Sequence, residues 1–286
     1  MHHRHAHIAV HVAALLFGLT GVFGELIQAT AIAITFGRAL FAVLALAGFA
    51  RLQGRDLLAG ITPRRAFALA GSGALLTVHW ITFFVAVKIG GIAVATLGFA
   101  SFPAFITVLE GALYRERVHA AEWVLLALVS AGLILVTPSF DFADRGTAGL
   151  AWGVASGLAF ALLALANRQA AAGLDAIQVA CWQNAVVAFV TAPAVVGALG
   201  ALRALDWLWL ATLGVFCTGL SHYLFVASLR RLNARTAGMA IALEPVYAIA
   251  FAWMLFAQQP TPRMLAGAGL IVAAAVYSAR RPRTGH

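Results

Sequence analysis

The feature that most constrains this chain is a succession of about ten apolar runs, each separated from the next by a short connection that carries charge. A helix needs about 20 apolar residues to cross the hydrocarbon core of a bilayer. Hydrophobic residues make up 63% of the chain and charged residues 10%, with a mean hydropathy of +0.93. Soluble domains carry about a quarter charged residues. The pattern predicts an all-α polytopic membrane protein without a separate soluble domain.

The apolar runs predict ten transmembrane helices, with ends defined to within a few residues. The run that begins at Ile8 lacks the small-residue cleavage site of a signal peptide, so it is interpreted as a retained first span. The predicted spans cover residues 8–28, 31–50, 65–86, 91–112, 120–137, 148–168, 177–199, 206–229, 235–257 and 263–279.

The positive charge predicts an orientation in the membrane. A net charge of +9 in a soluble protein would suggest a nucleic-acid partner, but here most Lys and Arg residues lie between spans. With a cytoplasmic N-terminus, 14 of the 19 fall in cytoplasmic connections and Arg38 alone lies within a span. Positive residues hold connections in the cytoplasm. We therefore expect a bacterial inner-membrane protein with both termini cytoplasmic, a lipid bilayer around it and no nucleic-acid partner.

The two halves of the sequence repeat one another at an offset of about 142 residues. The segment from Trp80 to Pro103 aligns with the segment from His222 to Pro245, and a four-residue adjustment pairs residues 35–43 with 181–189. Each half holds five predicted spans. Because five is odd, the second copy must enter the membrane upside down, as in many secondary transporters. This predicts two inverted five-helix repeats, residues 1–143 and 144–286.

Two segments carry a family resemblance. The fourth span runs PAFITVLEGALYRERV with Glu116 near its end, and the ninth runs EPVYAIAFAWMLFAQQ from Glu244, with Gln258 where the family usually has Glu. Together with Arg38 in the second span, they resemble the drug/metabolite transporter superfamily, EamA type, and within it the YddG-like amino-acid exporters. The resemblance implies export of small metabolites by alternating access through a central cavity.

Charged residues inside spans are candidate site residues, because a charge at the bilayer centre costs about 2.5–3.5 kcal/mol on insertion scales. Arg38 is expected to pair with Glu25 or with a substrate carboxylate. Glu244 precedes Pro245, which frees a backbone carbonyl one turn earlier. Its carboxylate either meets a substrate amine, carries a proton, or bonds the broken backbone. Glu110 and Glu116 are assigned to the membrane rim.

Aromatic and polar residues of the middle spans are candidates for the cavity wall. Ligand pockets are mainly apolar and aromatic with a few fixed polar groups. His79 and Phe83 lie one helical turn apart on one face, and a titrating histidine would couple transport to protons. For each residue, a hydrogen bond between helices or core packing is the alternative role. The candidates are His79, Trp80, Phe83, Phe99, Ser101, His222, Tyr223, Glu244 and Tyr247.

The leading hypothesis is export of amino acids, aromatic and other neutral ones, or of related metabolites. A second hypothesis is efflux of cationic drugs through Glu244 and the aromatic residues. A membrane-embedded enzyme is a remote third, since the sequence holds no nucleophile–base motif and no HExxH segment. No ATP-binding loop, cofactor or metal site is expected. The oligomeric state stays open, with a monomer as one possibility.

Overall fold

A computed structural model describes residues 3–114, 120–137, 141, 143–170, 173–228, 240–241 and 243–280. Several residues used in the sequence argument lie outside this part of the chain. They are Glu116 and seven of the arginine residues counted as cytoplasmic, which are Arg115, Arg117, Arg230, Arg231, Arg235, Arg281 and Arg283.

Twelve α-helices are described in this part of the chain. They are α1 (His3–Leu26), α2 (Ala31–Leu52), α3 (Pro63–Gly90), α4 (Ile92–Phe99), α5 (Phe102–Tyr114), α6 (Ala120–Val136), α7 (Arg145–Ala170), α8 (Ala176–Val195), α9 (Ala204–Gly214), α10 (Ser221–Ser228), α11 (Glu244–Phe256) and α12 (Pro262–Arg280). A 3₁₀ helix, Val196–Ala201, extends α8, and a π-helical turn, Val215–Leu220, joins α9 to α10.

Within the described residues, seven helical segments are long and apolar enough to cross a membrane. Three shorter apolar helices, Trp123–Val136, Glu244–Phe256 and Pro262–Tyr277, accompany them. No β-strand occurs in the described part. The prediction of an all-α polytopic membrane protein is confirmed.

Helix starts follow local sequence signals. Thr30 accepts a hydrogen bond from the Ala33 amide, and Thr62 accepts one from the Arg65 amide with Pro63 in the first turn. Asp175 accepts one from the Ile177 amide at the start of α8. Such side chains satisfy amide groups that have no partner within the helix, and proline in the first turn loses no bond.

The fourth span is broken, whereas the sequence predicted a continuous helix over residues 91–112. Residues 100 and 101 form a turn between α4 and α5. Pro103 has no N–H to donate to the Phe99 carbonyl, so the helix loses a hydrogen bond there. The Ser101 hydroxyl donates to the Gly98 carbonyl at 2.7 Å. A Cβ on Gly157 of α7 would lie 2.9 Å from the Phe99 carbonyl oxygen, so only glycine fits beside the break.

The eighth span also departs from the predicted continuous helix over residues 206–229. Its π-helical turn is stabilised by the Thr218 hydroxyl, which donates to the Leu213 carbonyl at 3.1 Å. At Gly214, just before the turn, a Cβ would lie 2.6 Å from the Arg38 carbonyl oxygen. The α9 end therefore packs directly on the α2 backbone, and the extra residue of the turn redirects the side chains that follow.

Helices from the two halves pair across the bundle. The main pairs are α2 with α8, α6 with α12, α1 with α10 and α11, and α7 with α3 and α4. We call the end with the loop 53–62 and Asp175 the basic end, and the end with residues 27–30 and Arg203 the opposite end. The largest core cluster is centred on α3 and includes Trp80, Phe83 and Phe84.

Candidate functional site

Arg38 is the central polar residue of the bundle. It lies in the middle of α2 and only 4% of its surface is exposed. The guanidinium carbon stands 3.9 Å from the centre of the Trp80 ring and 5.7 Å from that of Phe84. Stacking on an aromatic face stabilises the charge. The guanidinium is thereby held over the indole face.

Thr218 holds the guanidinium from the side. The Arg38 Nε donates to the Thr218 hydroxyl oxygen at 3.0 Å. Thr218 lies in the π-helical turn, and such turns often occur at functional sites. Among the described residues, no other hydrogen bond of Arg38 and no ion pair within 4 Å is present, so the two terminal nitrogens are available to a ligand.

Glu244 is the acidic counterpart of Arg38. It begins α11 directly before Pro245 and lies deep in the bundle, yet part of its surface stays accessible. Within the described residues, Glu244 and Arg38 form no ion pair within 4 Å. Gly18 lets α1 pack closely on the start of α11, because a Cβ there would lie 3.3 Å from the Glu244 carbonyl oxygen and 2.9 Å from the Tyr247 Cβ.

His79 is fixed between α3 and α7. Its Nδ1 lies 2.8 Å from the Ser156 hydroxyl oxygen and 3.2 Å from the Ser156 carbonyl oxygen. The Ser156 hydroxyl in turn donates to the His79 carbonyl at 3.0 Å. Only 7% of the His79 surface is exposed.

A cluster of rings, which we call the aromatic wall, surrounds His79. The Phe99 and Phe160 ring centres each lie 5.1 Å from the His79 ring centre, and Phe83 lies 6.4 Å away. Phe102 stacks on Phe99 at 5.2 Å and meets Phe160 edge-on at 5.0 Å. The wall therefore joins α3, the broken fourth span and α7.

The remaining predicted residues fall into two groups. Ser101 is buried with its hydroxyl bonded to the backbone at the helix break, while His222 and Tyr247 are partly buried. Tyr223 is 37% exposed and packs edge-on against Phe49 at 4.9 Å, towards the periphery. Glu25 lies at the opposite end, where Lys88 donates to its backbone carbonyl. Glu25 therefore does not pair with Arg38.

Sequence reasoning did not select Thr218, Ser156 or Phe160 as site residues. Thr218 and Ser156 are isolated hydroxyl residues within apolar runs, which is a weak signal, because such hydroxyls usually bond their own helix. Phe160 resembles any core aromatic residue until α7 is placed beside α3.

The opposite end of the bundle is tied together by polar contacts. Lys88 donates to the Ile27 carbonyl at 2.7 Å, and the Gln28 amide donates to the Asp206 carboxylate at 2.9 Å. Arg203 donates to the same carboxylate at 2.7 and 2.8 Å. These hydrogen bonds raise the pKa of Arg203, which lies between two spans and stays charged. The α1–α2 turn is thus held from both sides.

A further contact at this end joins the fourth span to the ninth. The Ile92 amide at the start of α4 donates to the Gln258 side-chain oxygen at 3.3 Å, and α4 packs against α11. The main contacts of α5, the basic-end half of the fourth span, are with α6 and α7. The fourth and ninth spans therefore meet at the opposite end.

The basic end is organised around the loop 53–62. Arg55 forms an ion pair with Asp175. Gln178 donates to the carbonyls of Leu57 and Ala59, and the Trp182 indole also donates to Leu57. The start of α8 therefore fixes the loop between α2 and α3.

Comparisons with known proteins give a consistent assignment. The model of the EamA-like transporter family matches twice, over residues 5–137 and 147–280, so the two matches begin 142 residues apart. An uncharacterized transporter of Archaeoglobus fulgidus is 25% identical over 280 residues, covering 97% of each chain. The uncharacterized transporter YxxF of Bacillus subtilis is 23% identical over 83% of this chain and 78% of its own.

A relative with a named substrate is also similar. The threonine/homoserine exporter RhtA of Escherichia coli K12 is 28% identical over 209 residues, which is 68% of this chain and 69% of RhtA. One solved crystal structure superposes with a TM-score of 0.66 over 95% of both chains at 18% identity. At that identity the likeness concerns the fold alone.

Proposed function

The chain belongs to the EamA-like transporter family, and from that premise we propose that it exports neutral amino acids by alternating access. The EamA-like family and the similar proteins from Archaeoglobus fulgidus and Escherichia coli are transporters rather than enzymes. The protein is accordingly a multi-pass membrane transporter, and the substrate is the part of the proposal that rests on the site.

The proposed architecture is ten spans in two inverted five-helix repeats, divided near residues 143 and 144. Support comes from the double family match and from the helix pairs. A two-fold rotation that superposes one half on the other relates α2 to α8 and α6 to α12, and the helices of each of these pairs are in contact. It also relates the contact of α1 with α11 to that of α7 with α4. Rocking of such repeats about a central site is how secondary transporters alternate access.

The observation that carries the substrate proposal is the Arg38–Glu244 arrangement. Arg38 and Glu244 carry opposite charges within predicted spans, and in the described part they form no direct ion pair with each other. A buried charge without a partner is costly, so each is expected to gain one when the substrate enters. A zwitterion supplies both partners, because its carboxylate fits the guanidinium fork and its ammonium group fits the Glu244 carboxylate.

The remaining surface of the site favours a neutral side chain. The aromatic wall of Phe83, Phe99, Phe102 and Phe160 offers apolar contact and no charge. Aromatic and aliphatic side chains both gain from such contact. The similarity to an exporter named for threonine and homoserine supports amino acids as the class.

We further propose an orientation and a conformation. The excess of Lys and Arg at the basic end favours a cytoplasmic location for that end, in a bacterial inner membrane. The hydrogen bonds at the opposite end and the contact of α4 with α11 favour a state closed to the outside and accessible from the cytoplasm. An exporter must load its substrate in such a state.

Efflux of cationic compounds is the second candidate, since Glu244 and the aromatic wall would attract a cation. The presence of Arg38 disfavours this candidate. Its positive charge would repel a cationic ligand that has no carboxylate to offset the repulsion. The two candidates differ in whether Arg38 promotes or opposes transport.

The test is uptake into liposomes that contain the purified protein. Radiolabelled neutral amino acids and a cationic dye are offered separately, with and without an imposed pH gradient, to wild type, Arg38→Leu and the lipid-facing control Phe189→Leu. We expect saturable amino-acid flux that Arg38→Leu abolishes and Phe189→Leu retains. Dye transport without amino-acid transport, especially if Arg38→Leu increased it, would support the second candidate instead.

A further inference from the structure

The hydrogen bonds of His79 determine which ring nitrogen carries the proton. The Ser156 carbonyl oxygen can only accept, and it lies 3.2 Å from Nδ1. The single hydroxyl hydrogen of Ser156 is used towards the His79 carbonyl at 3.0 Å. Protonation on Nδ1 satisfies every contact in this set, whereas protonation on Nε2 leaves two oxygen atoms facing an unprotonated nitrogen. The network therefore assigns the hydrogen to Nδ1.

The opposite nitrogen, Nε2, is then an acceptor. A neutral imidazole that donates from one nitrogen accepts at the other. No partner for Nε2 occurs among the described residues, and the ring is surrounded by Phe83, Phe99 and Phe160. An acceptor among aromatic rings is less stable without a donor than with one. A ligand that brings a donor into the aromatic wall would remove this penalty.

His79 is close to the charged part of the site. Phe84 lies 5.7 Å from the Arg38 guanidinium carbon, and its ring meets that of Phe83 in the aromatic wall at 5.7 Å. A neutral amino acid held by its carboxylate at Arg38 can therefore direct its side chain towards the aromatic wall.

We propose that His79 Nε2 accepts a hydrogen bond from a hydroxyl group on the substrate side chain, so that the site prefers hydroxylated amino acids over apolar ones of equal size. This inference rests on the proposed function, since it concerns the same site. Ser156 is the positioning residue, because it holds the ring in the accepting tautomer.

Competition between matched amino acids tests the proposal. Unlabelled threonine and valine, which differ by a hydroxyl in place of a methyl group, compete with a labelled substrate for uptake by wild-type proteoliposomes; tyrosine and phenylalanine form a second pair. We expect the hydroxylated member to compete about ten-fold better or more in at least one pair, since sites built for a hydroxyl discriminate strongly against its loss.

Two substitutions at one position separate the hydroxyl contact from the structural role of His79. The amide nitrogen of His79→Asn can replace Nδ1 and keep the Ser156 contacts, but nothing replaces Nε2. The longer side chain of His79→Gln places an acceptor oxygen near the Nε2 position. We expect His79→Asn to transport with a hydroxyl preference below about two-fold and His79→Gln to recover part of it, while Ser156→Ala weakens the preference through the loosened ring.

The outcomes are separable from those of the proposed function. If wild type carries no amino acid, the proposed function fails. If wild type carries amino acids but takes threonine and valine equally, and tyrosine and phenylalanine equally, the His79 inference alone is wrong. A hydroxyl preference that survives in His79→Asn also overturns it. Phe189→Leu, on an 81% exposed position, serves as the unaltered control for reconstitution.

Discussion

The fourth and ninth spans of this transporter share a proline and differ in the chemistry beside it. Pro103 follows the break in the fourth span, and Pro245 stands at the start of α11, 142 residues later. Phe102 precedes the first proline and packs into the aromatic wall, whereas Glu244 precedes the second and keeps an accessible carboxylate. The duplication therefore retained the proline and diverged in the side chain before it.

A second pair of equivalent positions shows the same divergence. Arg38 of α2 corresponds to Asn184 of α8 in the alignment of residues 35–43 with 181–189. Arg38 reaches across to Thr218 and Trp80, but the Asn184 amide donates to Ala180 within its own helix, and its side-chain oxygen is buried without a partner in the described structure. Each half contributes one charge to the proposed substrate site, and the two halves are no longer chemically alike.

The largest expected effect comes from substituting Arg38, the charged residue of the pair Arg38 and Asn184. Arg38→Leu removes the proposed carboxylate partner, and loss of one side of a buried charge pair costs about 2–5 kcal/mol, so transport efficiency should fall about 30-fold or more. Asn184→Leu should leave transport within about two-fold and keep or raise thermal stability, because it removes an oxygen without a partner. Proteoliposome uptake and thermal unfolding measure the two. Equal losses in both variants would contradict the assigned asymmetry.

The next effect concerns the residues before the two prolines. Glu244→Gln removes a charge-assisted hydrogen bond of about 1.5–3 kcal/mol to the substrate amine, which corresponds to a loss of about 10–100-fold in transport efficiency. Phe102→Leu should change transport efficiency by only a few-fold, and the direction of the change should depend on the size of the substrate's side chain. Initial uptake rates over a series of neutral amino acids test this. A uniform large loss in Phe102→Leu would show that the first break is equally important.

A smaller effect sharpens the comparison of α3 with the eighth span. Thr218 lies in the π-helical turn and accepts from Arg38, whereas the Thr77 hydroxyl of α3 bonds Gly73 within a regular helix. Thr218→Val should raise the substrate KM about ten-fold, since it frees the guanidinium from its fixed orientation. Thr77→Val should have little effect on KM. If Thr218→Val matched its control, the π-helical turn would have no role in positioning Arg38.

The smallest expected effect tests the contact that closes the opposite end. Gln258→Glu places a negative charge at the first amide of α4, where an anion gains about 0.3–1 kcal/mol. Hydrogen exchange of the Ile92 amide should slow about two- to five-fold, and Gln258→Ala should accelerate it. Exchange that is indifferent to both substitutions would show that this hydrogen bond does not contribute to closure.

The chain's own pattern was sufficient to predict membrane helices, because a bilayer tolerates few structures and demands long apolar segments. Most predicted spans agree with the observed helices to within a few residues, and the family match begins again at the predicted offset. Breaks were harder to predict. Pro103 alone did not predict the interruption of the fourth span, because the space for the freed Phe99 carbonyl is provided by Gly157 on another helix. No sequence signal marked the π-helical turn.

Of the candidate site, the sequence by itself determined which residues are chemically unusual in a bilayer: Arg38, Glu244 and His79. Charge and hydrogen-bonding capacity are properties of a residue, and their cost in lipid is evident without coordinates. Only the tertiary structure decided their partners, because Thr218, Ser156 and Phe160 lie on helices far away in sequence and are ordinary until those helices pack. The separation of Arg38 from Glu25 followed from helix packing that no local pattern encodes.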